Sequence, residues 1–181
     1  MSVSIYGNKS IFAVESEYFD EFHTTEIKMF IHDINILAFT RDGEHLTTRW
    51  ELDELAEWLR GFVDNMREDP YPVEVEGAYA ALMDINSRNF DSEDDEVFDE
   101  YYDKLDDWVW RHTWHHASSG AVLSDIYFRL IGEQVEISWN NQNHEEGVQF
   151  DAVLGCDYVS REIFVEVINN FLRDYADHWF N

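Results

Sequence analysis

Cysteine, proline and lysine are scarce in this chain of 181 residues. Cysteine occurs once, at Cys156, which excludes an intrachain disulfide and a cysteine-based zinc cluster. A lone thiol also predicts a reducing, cytoplasmic compartment. Proline occurs only at Pro70 and Pro72, so the segment Asp69-Pro70-Tyr71-Pro72 is the strongest internal boundary. Lysine is confined to Lys9, Lys28 and Lys104. No apolar run approaches the length of a membrane span, which predicts no membrane insertion. The start, Met1-Ser2-Val3-Ser4-Ile5, has neither a basic region nor a long apolar run, and predicts no signal peptide. A Gly-rich phosphate loop, a Gly-x-Ser-x-Gly elbow and a Cys-x-x-Cys pair are all missing.

What is present is acid. Asp and Glu number 39 against 12 Lys and Arg, for a net charge of −27. Such a surface repels nucleic acid and anionic membrane and attracts basic proteins and cations. Solubility or a saline habitat produces the same composition, and composition alone does not separate these readings. Apolar residues make up 45% and aromatics 16%, with seven Trp, enough to build a core and to exclude global disorder.

The first fifty residues read as strands: Phe12 to Phe19, Ile27 to Ile31, Ile34 to Phe39 and Leu46 to Trp50, with Asp42-Gly43 as a hairpin turn. A helix follows from an N-cap at Asp53, with Leu55, Trp58, Leu59, Phe62, Val63 and Met66 on one face. Ala78 to Ile85 suits a short helix, although this stretch is ambiguous. Ser92 is placed to cap an acidic helix with the apolar stripe Val97, Phe98, Tyr101, Leu105, Trp108, Val109 and His112, stopped by Gly120. Strands at Ile126–Ile131, Val135–Trp139 and Val148–Leu154 come next. In the second, Glu136 and Ser138 face away from Val135, Ile137 and Trp139. A last helix begins after Ser160, burying Ile163, Phe164, Val167, Ile168, Phe171, Leu172 and Tyr175. The expected fold is α+β, a mostly antiparallel sheet packed with about three amphipathic helices. It divides into a strand-rich lobe with a helix over 1–69 and an α-β-β-β-α lobe over 73–181, packed as one compact unit.

Residues 91–107 hold ten acids and one base, Lys104. On a helix, Glu96, Asp99, Glu100, Asp103, Asp106 and Asp107 form a row of carboxylates with steps of about 5–6 Å. Like charges so spaced repel, and the row can imitate a nucleic-acid backbone or receive a basic protein patch. It can equally be a solvated helix face. Tyr102 and Trp110 are the aromatics expected to assist binding, and Trp110 and Trp114 fall off the stripe, where exposure is expected. His112 and His116, with His115 beside them, have spacing that can hold zinc, but a packed or hydrogen-bonded histidine on the apolar stripe is the better reading. His144-Glu145-Glu146-Gly147-Val148 begins like a metallopeptidase motif and lacks its second His. Cys156 reads as a buried, inert thiol.

The landmarks Leu55-Ala56-Glu57-Trp58-Leu59, Trp110-Arg111-His112, Ala117 with Gly120, Leu123-Ser124-Asp125 and Val135-Glu136-Ile137-Ser138-Trp139 come in a familiar order. Over residues 46–140 this resembles the accessory region that precedes some ImmA/IrrE-type peptidase domains in bacteria. Ser124 stands where that pattern more often has Pro, and the peptidase domain is absent from this sequence. The resemblance implies a stand-alone recognition module in a bacterial or phage regulation or defence setting, and it transfers no catalytic residue.

These observations favour a non-enzymatic binding protein without a cofactor. Its partner would be a basic protein, occluded as by an immunity protein, an antitoxin or a nucleic-acid mimic, with no direct nucleic-acid binding. A metal-binding sensor or enzyme built on the three histidines is the alternative. An accessory structural subunit whose acidity serves solubility is the other.

Overall fold

Alternation organises the first sheet. In the computed structural model, which describes residues 3–118, 120–142 and 144–180, Thr25, Ile27, Met29 and Ile31 point inward and their neighbours outward. The strands are β1 (Val3–Asn8), β2 (Phe12–Phe19), β3 (Thr24–Ile31), β4 (Ile34–Asn35), β5 (Ala38–Arg41), β6 (Glu44–Thr47) and β7 (Arg49–Trp50). Strands β1 to β4 pair in order, all antiparallel, and β7 pairs with β3. Asp42 and Gly43 both have positive φ, +54° and +83°, which matches the right-handed twist of the β5–β6 hairpin they join.

Helix α1 (Asp53–Asp64) follows, with Leu55 and Leu59 buried and Trp58, Phe62, Val63 and Met66 packed at the margin of the core. Its cap position is Leu52, one residue earlier than the expected Asp53. The Asp53 carboxylate instead accepts the Tyr175 hydroxyl at 2.6 Å. Then come α2 (Ala80–Ser87), α3 (Asp95–His112), β8 (Ile126–Ile131), β9 (Gln134–Asn140), β10 (Val148–Phe150), β11 (Leu154–Ser160) and α4 (Arg161–Phe180). Helices among the described residues therefore number four, one more than the expectation of about three. The fold is α+β, with every sheet antiparallel.

The expected third strand over Val148–Leu154 is divided. Strand β10 leaves to pair with β5, while β11 pairs with β9. Residues Asp151 to Val153 break the extension, so alternation on either side belongs to two different sheets. In α4, Phe164, Val167, Ile168, Phe171, Leu172 and Tyr175 are all buried, and the helix packs on β1, β2 and α1. Each such side chain contributes about 1.5–3 kcal/mol by leaving water. The main core joins Phe12 and Ile27 from the first sheet, Leu59 from α1, Phe128 and Ile137 from the third sheet, and Phe164 and Phe171 from α4.

The second face of the β8–β9–β11 sheet is not solvated. Glu136 and Ser138 are completely buried, because α2 and the C-terminal half of α3 cover that side. A smaller cluster of Ala80, Ala81, Trp108 and Tyr127 fills this layer. Alternation of polar with apolar residues in β9 thus separates two interiors. The polar members are satisfied by hydrogen bonds to α2 rather than by water.

Candidate functional site

Helix α3 carries more charged side chains than any other of the four helices and buries only three of its eighteen residues. Its cap is Asp94, not Ser92: the Asp94 carboxylate accepts from the backbone N–H groups of Glu96 at 3.0 Å and Val97 at 3.3 Å. Ser92 instead accepts from the Asp94 N–H, which orders the approach to the helix. Acids at Asp95 and Glu96 and bases at Arg111 and His112 suit the two ends of the helix dipole.

The C-terminal half of α3 is its most deeply anchored part. Its buried side chains are Leu105, Trp108 and His112. Toward the N-terminus the expected stripe thins: Tyr101 is half-buried, stacked on Phe90 with its hydroxyl donating to the Ser87 carbonyl at 3.2 Å, while Val97 is 47% and Phe98 37% exposed. Glu96, Asp99, Glu100, Asp103, Asp106 and Asp107 are all exposed. Lys104 pairs with Glu100 at 2.6 Å, Arg88 with Asp106 at 2.8 Å, and Arg111 with Asp107. Glu96, Asp99 and Asp103 have no cationic partner among the described residues. The unneutralised charge therefore lies in the turns of Val97 and Phe98, at Glu96 and Asp99, and just beyond them, at Asp103.

Tyr102 is half-buried rather than free. Its hydroxyl donates to the carbonyls of Arg88 and Phe90, both at 3.1 Å, and its ring lies 4.7 Å from that of Phe98. Trp110 is 61% exposed, as expected, and stacks on His116 with ring centroids 3.6 Å apart. Trp114, expected at the surface, is fully buried and donates its indole N–H to the Ser124 carbonyl at 2.8 Å. The reason is that α3 stops at His112. Thr113 turns extended and bridges to Tyr127, which swings Trp114 into the core. Gly120 has φ of +89° but lies beyond this exit, so it does not terminate the helix.

That early stop also separates the three histidines. His112 is buried, stacked on Trp108, with Nδ1 2.8 Å from the Trp108 carbonyl. Burial pushes its pKa below the usual value, and the carbonyl bond only partly offsets this. His115 pairs with Asp125, and that bond pushes its pKa up. His116 stacks under Trp110, and burial lowers its pKa. Among the described residues, no group of three His, Cys, Asp or Glu side chains is placed to hold a metal ion. His144 packs on Phe150 in a non-helical segment. Burial pushes the Cys156 thiol up to about 12, so at neutral pH it is protonated and a poor nucleophile.

A cleft of about 440 Å³ opens where α1 and α3 end, lined by Trp58, Phe62, Met66, Arg67, Asp69 and Trp110 among others. The indole N–H of Trp58 reaches the Trp110 carbonyl at 3.5 Å. Sequence reasoning assigned Trp58, Phe62 and Met66 to a core face and did not single out Arg67. Some fifty residues separate the two walls, and no local spacing reports their meeting. The landmarks Leu55 to Leu59 and Trp110 to His112 lie at this junction, on α1 and at the end of α3.

The fold and surface define an α+β protein bearing an acidic helical ridge. Among the described residues no helix is long and apolar enough to cross a membrane. Comparison with known proteins gives no match to any family model, any curated protein or any solved structure.

Proposed function

We propose that this chain is a protein-binding inhibitor or recognition module that holds a basic partner on the first half of α3. The observation that supports it is the co-location of unneutralised carboxylates at Glu96, Asp99 and Asp103 with the exposed side chains of Val97 and Phe98. Exposed apolar side chains set among unpaired acids are what a face that docks a basic partner offers. Together they supply long-range attraction and a contact that excludes water. The partner's basic surface, of the kind that binds phosphate backbones, is occluded, and no bond is made or broken. An immunity protein, an antitoxin and a nucleic-acid mimic in a bacterial or phage cytoplasm all fit this mode.

The test is a comparison of two baits in host lysate at low salt. One is the native chain and the other carries Glu96→Lys, Asp99→Lys and Asp103→Lys. A basic protein retained only by the native chain and released by salt supports the reading. Equal retention by both baits, or retention indifferent to salt, removes it.

A further inference from the structure

The cleft at the ends of α1 and α3 has the size, walls and charge of a small-molecule site. Its volume, about 440 Å³, lies within the range of ligand pockets, about 300–1,000 Å³. One wall is the parallel pair Trp58 and Phe62, with centroids 5.4 Å apart and planes 9° apart, extended by Met66. The other is Trp110. Its ring is exposed yet held in place by the His116 imidazole lying parallel to it. The 3.5 Å contact from the Trp58 indole N–H to the Trp110 carbonyl ties the walls together. Aromatic side chains lining one cleft in this way favour contact with a flat ring.

Charge narrows the ligand further. Two guanidinium groups line the cleft. Arg111 is consumed by Asp69, at 2.9 and 3.2 Å, and by Asp107. Asp69 is thereby neutralised. Arg67 has no ion-pair partner among the described residues, in a chain where acids outnumber bases 39 to 12. An exposed guanidinium left unpaired beside aromatic walls suits a carboxylate, which it binds through two parallel N–H donors. The protein's net charge of −27 disfavours a dianion such as a phosphate monoester and tolerates a monoanion better.

We infer that this cleft binds a planar aromatic carboxylate, its ring against Trp58, Phe62 and Trp110 and its carboxylate on Arg67. The site does not depend on the proposed partner surface, which occupies the opposite half of α3.

The probe is 2-naphthoate, titrated into the whole protein by calorimetry and by NMR of the indole N–H signals. The neutral 2-naphthalenemethanol, with the same ring, serves as control. Saturable binding of 2-naphthoate is expected, with shifts at the Trp58 and Trp110 signals. Affinity should fall about tenfold for the neutral compound, for Arg67→Gln and for Trp110→Ala, the scale of one charge-assisted bond or one ring contact. Both substituted side chains are exposed, and unchanged thermal melting verifies that each variant folds. Absence of saturable binding, equal affinity for the neutral compound, or affinity unchanged in both variants overturns the assignment. None of these outcomes bears on the lysate comparison of the acidic ridge.

Discussion

The carboxylate of Glu136 on β9 accepts the backbone N–H of Ala80, the first residue of α2, at 2.7 Å. Ser138 accepts the next N–H, that of Ala81, at 3.1 Å. Helix α2 has no side-chain cap of its own at Tyr79, so a strand more than fifty positions later satisfies its first donors. Arg129 completes the arrangement, with Nη2 2.6 Å from the second Glu136 oxygen. A completely buried carboxylate is thereby opposed by one guanidinium and by the positive end of a helix.

Glu136→Ala should therefore be strongly destabilising. It strands the Arg129 charge in the interior and orphans the Ala80 N–H, for a cost of about 3–5 kcal/mol. Glu136→Gln keeps an acceptor and should cost less. Urea unfolding followed by tryptophan fluorescence measures both. A loss below about 1 kcal/mol in the alanine variant would show that the pair adds little to the fold.

Reversal of Asp99 and Asp103 to lysine should leave stability within about 0.5 kcal/mol of the native value, since both are exposed and without cationic partners among the described residues, and adding Glu96→Lys should cost at most about 1 kcal/mol more, because it sets a cation in the first turn of α3. The larger predicted loss is in partner binding. Asp107→Lys is a poorer test, because it sets a second cation beside Arg111.

His112 should make stability depend on pH. Burial holds its folded pKa below the unfolded value near 6.5. The unfolded chain then takes up a proton first as the pH falls, so this residue withdraws stability below about pH 6.5 and stops doing so below its folded pKa. His115, whose pKa is raised, acts with the opposite sign, so the readout is a difference between variants. His112→Asn keeps a donor near the Trp108 carbonyl and removes the titration. Its stability should fall less than that of the native chain between about pH 7.5 and about pH 5.5 in parallel urea titrations.

Gly7 should tolerate no side chain. Its φ is +91°, and a Cβ there would meet the Phe12 carbonyl oxygen of β2 and lie 2.6 Å from a Val167 methyl of α4. Gly7→Ala combines left-handed strain with overpacking, for an expected loss of about 2–4 kcal/mol. A melting temperature unchanged from the native chain would contradict the close approach of α4 to the β1–β2 hairpin.

Elements with a full period were readable from the residues. Strand Phe12–Phe19 follows from its β-rich composition although it is buried on both faces, the Asp42-Gly43 turn from its preference for positive φ, and the six buried positions of α4 from a single apolar face that meets the core. The acidic row of α3 was also legible, since exposure of charge needs no partner to explain it. Local rules failed where the environment on the second face was decisive. Val97 and Phe98 have core spacing, but the body of the protein ends before it reaches them. Glu136 and Ser138 have surface spacing, but α2 lies over them. Trp114 and the three histidines depended on a helix ending at His112, which the exit of Thr113 toward Tyr127 decides. The sequence by itself determined the class of fold, the net charge and the acidic helix, because each is a sum or a short-range period. Tertiary structure alone decided the cleft, where Trp58 and Arg67 meet Trp110 from the far end of another helix, because contact between distant segments is set by how the layers pack and leaves no mark on local spacing.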